Sequence, residues 1–127
     1  MYFSNLELKG VKFWNSNMKQ SNFKQTNLSK SKLQGSNISD SQFNQAIFIG
    51  AQLQGVNLNN AKINNSDFRG VDMQTVEFTD GEAINSDMKS INFTGANLEN
   101  ADFLVSNLSN VNFTDASIKN IRFLLSN

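Results

Sequence analysis

Residues 96–115 read ANLEN ADFLV SNLSN VNFTD, four consecutive copies of one five-residue unit. In each copy a small residue stands first (Ala96, Ala101, Ser106, Val111), Asn or Asp second, and Leu or Phe third. Followed outward in both directions, the third-position series runs without a break from Phe3 to Phe123. Of its 25 members 24 are large and apolar, Ala83 being the exception, and all 11 phenylalanines of the chain fall in this one phase. A period of five fits neither a 3.6-residue helix nor a two-residue strand. It fits a composite unit. Residues two apart on an extended segment face the same way, so the first and third positions both point inward, and the remaining two residues turn a corner.

The corner chemistry agrees. The fifth position is Gly at 10, 35, 50, 55, 70 and 95, and Asn at 5, 15, 60, 65, 85, 100, 110 and 120. These two residue types best tolerate the positive φ that the third position of a type II turn requires. Proline is absent, as expected where backbone N–H groups are needed for a parallel ladder.

With these units, and with VNLNN at 56–60, the sequence resembles the pentapeptide-repeat family, whose unit is A-(D/N)-L-x-x. The resemblance implies an all-β fold, a right-handed quadrilateral parallel β-helix with 20 residues per coil. Residues 1–127 would form a single such domain of about six coils. At roughly 4.8 Å per strand layer the rod would stand about 29 Å tall. The spacing of outward residues supplies an independent hint of a 20-residue coil. Ile84, Leu104 and Leu124 would stack, and so would Lys62, Glu82, Asp102 and Arg122, where two of three contacts pair opposite signs. Polar columns such as Asn17, Asn37, Asn57 and Gln34, Gln54, Gln74 are expected to form amide ladders that stabilise the stack.

Composition narrows the function. The 127 residues hold no cysteine and no histidine, so thiolate metal sites, disulfides and the commonest general base are absent. No apolar run approaches the length of a membrane span, and the first residues carry alternating charges rather than a basic-then-apolar leader. A cytoplasmic protein is expected. Eleven basic against 11 acidic residues argue against direct nucleic-acid binding, which depends on positive charge. With carboxylates spread over the outside of a filled rod, neither catalysis nor a cofactor is expected.

Departures from the pattern mark candidate surfaces. Near the C-terminus outward positions turn apolar at Ile84, Leu104, Val105, Leu124 and Leu125, and such a patch predicts a homodimer through the last coils. Ile47, Ile49 and Trp14 are smaller outliers. Ala83 follows Gly81, and a lost large side chain there would cost about 3–5 kcal/mol if nothing refilled the space. It reads as a tolerated irregularity, or as a bend or cleft in the wall. Residues 1–32 carry six lysines against Glu7, spread over all four sides. Residues 67–115 carry nine acids (Asp67, Asp72, Glu77, Asp80, Glu82, Asp87, Glu99, Asp102, Asp115) against Arg69 and Lys89. The expected function is a rigid scaffold or regulatory module that binds a protein partner. The alternative, implied by the resemblance, is a DNA mimic that binds DNA gyrase or topoisomerase IV in the manner of quinolone-resistance members. Duplex carries about one charge per ~1.7 Å of axis, so it would hold about 7 charges over the roughly 12 Å of this acidic band.

Overall fold

The inward, outward, inward, corner, corner rhythm is realised in every repeat of the structure, a computed structural model that describes residues 1–124 and 126. Each second-position residue forms a parallel pairing with the residue 20 further on, from Tyr2 with Asn22 to Asp102 with Arg122. The pairings fall into four columns, which define four sides. The first runs through Tyr2, Asn22, Gln42 and Lys62, and the second through Glu7, Asn27, Ile47 and Asp67. The third runs through Lys12, Lys32, Gln52 and Asp72, and the fourth through Asn17, Asn37, Asn57 and Glu77. One coil is therefore 20 residues, as the stacking of outward residues predicted.

Backbone hydrogen bonding explains why one paired residue per side suffices. The third-position N–H donates up to the next coil, as from Phe48 to the Asp67 carbonyl at 2.8 Å. The second-position N–H donates down to the previous one, as from Asp67 to the Ala46 carbonyl at 3.0 Å. Every fifth residue from Asn5 to Asn120 has a positive φ, between 50° and 72°. Gly and Asn occupy most of these corners without penalty, but the β-branched Thr75 (55°) and Val105 (60°) also lie in the left-handed region, where such side chains are strained.

The second position has a local task. Its side-chain oxygen accepts the backbone N–H two residues on and so braces the corner: Asn22 from Lys24 at 3.0 Å, Asn57 from Asn59 at 3.0 Å, Asp72 from Gln74 at 3.2 Å. This is the local turn chemistry at which Asn and Asp excel, and it corrects the expectation of amide ladders. Asn17, Asn37 and Asn57 each serve their own corner. Gln34 and Gln54 reach second-position residues of the third side instead of the next glutamine in their own column, Gln34 donating to Gln52 at 2.7 Å and Gln54 to Asp72 at 2.9 Å. Amide pairs between coils do occur, at the corners Asn65–Asn85 and Asn100–Asn120.

Inside, phenylalanine rings stack one per coil: Phe3 on Phe23 at 4.6 Å, Phe23 on Phe43 at 4.8 Å, Phe48 on Phe68 at 4.2 Å. These separations match the layer spacing of a β-structure. The small first position is not merely filler. Ser66 and Ser86 accept the N–H of the equivalent residue one coil earlier and donate to a carbonyl, Ser66 to Phe43 at 2.7 Å and Ser86 to Ile63 at 2.8 Å. Ser106 continues the line to Ala83. The result is a buried polar spine along one column of the upper coils, and buried serines repeat the pattern lower down, Ser21 N–H donating to Ser41 at 3.0 Å.

At Gly81 and Ala83 the wall neither bends nor opens. No cavity is found among the described residues, and Ala83 is fully buried. The ring of Phe78 folds back over its own corner into the space that a Gly81 side chain would fill: an added Cβ would lie 2.1 Å from Cε2 of Phe78. That ring also meets Phe103, stacked above Ala83, at 5.9 Å. Two adjacent small residues thus accommodate one displaced ring.

Candidate partner-binding surfaces

The outward positions of the repeat face solvent on four flat sides, so any recognition must use side faces and corners. The C-terminal apolar residues gather as the spacing predicted. Ile84, Leu104 and Leu124 follow one another up the corner that leaves the first side, tied by Asn85 N–H to the Leu104 carbonyl at 2.9 Å and Val105 N–H to the Leu124 carbonyl at 3.1 Å. Ile84 and Leu104 are half-buried by their neighbours, whereas Val105 is 50% and Leu124 72% exposed. Leu125 lies outside the described residues. The feature the sequence reading passed over is that Val105 is both apolar and held at positive φ, a strained residue kept outward in the middle of the patch. Its signal was a β-branched residue at a position otherwise dominated by Gly and Asn.

The nine acids separate into two groups. Asp67, Asp72, Asp87 and Asp102 stand at second positions and brace corners, accepting from the N–H of Arg69, Gln74, Lys89 and Leu104. Three of them are also ion-paired: Asp67 with Arg69 at 2.6 Å, Asp87 with Arg69 at 3.7 Å, Asp102 with Arg122 at 3.1 Å. Glu82 pairs with Lys62 at 3.7 Å. Partial burial pushes the Asp67 carboxyl up, but the hydrogen bonds and charge of Arg69 outweigh it and hold the group below its ordinary range. The other four acids have no cation within ion-pair distance among the described residues. Glu77, Asp80 and Glu99 lie together on the fourth side and its outgoing corner, where Asp80 N–H donates to the Glu99 carbonyl at 3.0 Å. Asp115 sits on the corner entering that side. The acidic band of the sequence is therefore largely neutralised on the first and second sides and bare on the fourth.

Among the described residues no group of His, Cys, Asp or Glu is placed to hold a metal ion, and no helix is long and apolar enough to cross a membrane. The unbroken coils and filled interior define the class: a quadrilateral β-solenoid whose working parts are its outer faces. The chain belongs to the family described as Pentapeptide repeats, whose model matches residues 7–45, 36–74 and 85–123 in 8 copies, and its β-helix is right-handed. No curated protein matches the sequence.

Solved structures share the fold at low identity. A pentapeptide repeat protein of the Arabidopsis thaliana thylakoid lumen is similar with a TM-score of 0.75 and 21% identity over 76% of this chain and 68% of that one. HetL, a pentapeptide repeat protein involved in heterocyst differentiation regulation in the cyanobacterium Nostoc sp. strain PCC 7120, has a TM-score of 0.63 and 19% identity over 96% of this chain. The chain spans 61% of HetL's length. A trypsin-treated form of QnrB1, a plasmid-mediated fluoroquinolone resistance protein, has a TM-score of 0.55 and 16% identity over 99% of this chain and 74% of that one.

Proposed function

We propose that this chain is a non-enzymatic, cytoplasmic β-helical scaffold that binds a protein partner and pairs with a second copy through its C-terminal coils. The observation that carries the reading is the outward apolar column Ile84, Leu104, Val105 and Leu124, which ends in two strongly exposed residues. Other exposed apolar residues such as Ile47 and Trp14 stand at separate places on the rod, whereas this strip is contiguous, as interfaces are. The strain at Val105 supports this, since strained residues cluster where binding needs them. Light scattering tests it. A mass of twice 14.2 kDa at high micromolar concentration is expected, and Leu104→Glu with Leu124→Glu should return the mass to the monomer. A wild-type monomer under those conditions refutes the dimer.

A second reading is favoured by one specific observation, the unpaired acids Glu77, Asp80 and Glu99 on the fourth side. If the rod imitates duplex toward DNA gyrase or topoisomerase IV, these carboxylates are the phosphate surrogates. Purified protein should then inhibit gyrase-catalysed supercoiling or protect it from a fluoroquinolone. Reversing the three acids to lysine should abolish the effect with the fold intact. Absence of any effect on either enzyme leaves the scaffold reading.

A further inference from the structure

Four of the six N-terminal lysines do not scatter over the rod but gather on one corner and the side it opens onto. Lys12 and Lys32 are direct parallel neighbours on the third side. Lys9 and Lys30 lie on the corner leading into it, where Gly10 N–H donates to the Ser29 carbonyl at 2.8 Å. The stem of Lys30 extends over the next coil, its Cγ passing 3.6 Å from where a Gly50 Cβ would be. On the corner that leaves the same side stands Trp14, 50% exposed, with the Lys12 ammonium 5.5 Å and the Lys32 ammonium 6.0 Å from its ring centroid. None of the four lysines has a carboxylate within ion-pair distance among the described residues, and Glu7 is the one acid of the first two coils below Asp40.

Like charges placed directly opposite on a parallel pair oppose folding. Like charges also face each other at Asp67 and Asp87 and at Glu82 and Asp102, but there cations offset them, Arg69 reaching both aspartates of the first pair and Lys62 and Arg122 flanking the second. Here the chain sets lysine on lysine and lays both against an aromatic face, a cation–π arrangement that keeps the ammonium groups close together. We propose that this third side, with its two flanking corners, is a binding site for a short acidic segment of a protein partner, carboxylates flanking an apolar or aromatic residue that packs on Trp14. The inference rests on the protein-binding reading above and names the chemistry of the partner. Charge complementarity supplies the first half of the argument. The extent of the patch supplies the second: two layers span only about 5 Å of the axis. A long polyphosphate laid along the rod would meet the acidic coils from Asp67 onward and be repelled.

Trp14 is the single tryptophan, so intrinsic fluorescence reports from the site itself. The probe is a blocked peptide, Glu-Glu-Phe-Glu-Glu, titrated into the full chain beside its Gln-Gln-Phe-Gln-Gln counterpart and a short oligothymidylate. A saturable change in Trp14 emission with the acidic peptide is expected, weakening as salt compresses the Debye length from about 10 Å toward ~3 Å. Lys12→Glu with Lys32→Glu, which touches no core residue, should weaken binding by roughly tenfold or more, with the thermal transition retained. The proposal is overturned by no saturable change at millimolar peptide, by an equal response to the glutamine peptide, or by tighter binding of the oligothymidylate. The C-terminal pairing is read separately by light scattering, so failure of one is distinguishable from failure of the other.

Discussion

Gly81→Ala sets the repeat pattern against the structure. By pattern the change should help, because alanine is the residue of the unit A-(D/N)-L-x-x at that position. Gly81 does not have a positive φ, so the loss of chain entropy in the unfolded state would add about 0.4–1 kcal/mol of stability. The packing says the opposite. The new Cβ would lie 2.1, 2.4 and 2.5 Å from three ring carbons of Phe78, far inside normal contact. Phe78 is fully buried, so its ring has no solvent to retreat into and must displace neighbours such as Phe103. Overpacking of this kind costs about 1–3 kcal/mol, which outweighs the entropic gain and leaves the variant less stable. With a urea m-value of about 1–3 kcal/mol per molar, the midpoint should fall by several tenths to about 1 M. In a Phe78→Leu background the clash disappears, and the same Gly81→Ala change should become neutral or stabilising, a coupling that a double-mutant cycle measures. Urea unfolding followed by circular dichroism decides the matter. A Gly81→Ala midpoint at or above wild type, or a penalty undiminished by Phe78→Leu, refutes the account.

Val105→Gly should raise the stability of the isolated rod by about 1 kcal/mol, because it relieves a β-branched residue at φ 60°. The same change should weaken self-association; a lower urea midpoint in the monomeric Leu104→Glu, Leu124→Glu background would contradict the strain argument. Ser86→Ala removes an acceptor for Ser66 N–H and a donor to the Ile63 carbonyl, and should lower stability by about 1–3 kcal/mol, read as a drop in melting temperature. For Asp67, whose folded pKa is depressed, the stabilising contribution is present above the unfolded value near 3.9 and disappears as pH falls through the folded value. The stability gap between wild type and Asp67→Asn should therefore be constant at neutral pH and close below about pH 4. A gap that persists in strong acid would show that Arg69 is not its source.

The coil length, the inward and outward positions and the positive-φ corners were all legible in the sequence, because each follows from a residue type recurring at a fixed step. What escaped was direction. Composition places Asn17, Asn37 and Asn57 in one column, but whether an amide turns toward its neighbour above or its own corner depends on a 3 Å contact with a backbone N–H two residues on. The filling of the Ala83 site was hidden for the same reason, since Phe78 obeys the pattern and the sequence does not say that its ring lies against Gly81. The lysines do fall on all four sides, as expected, but four of the six adjoin on the second side's outgoing corner and the third side. A tally by side separates Lys9 and Lys30 from Lys12 and Lys32, although the corner they share opens directly onto the latter pair. The apolar C-terminal column was legible because stacking at 20 residues needs no rotamer to be known.

The division of the acids ties the two functional readings together. Glu77, Asp80 and Glu99 put three charges without an ion pair within two coils, with Lys119 stacked one coil above Glu99, and duplex would place about 3 over one 4.8 Å layer and about 6 over two. One rod therefore offers a patch of roughly half duplex density on one side, and below it the lysine-rich coils reverse the sign. No extended imitation of DNA can be built from a single copy. Pairing through Val105 and Leu124, one corner round and in the coils above this region, would bring two such patches toward the centre of the assembly and the basic faces to its far ends. A duplex-like surface thus requires the dimer, whereas a scaffold does not. A monomeric mass in light scattering would refute the mimic together with the dimer, and would leave the Trp14 corner as the rod's binding face.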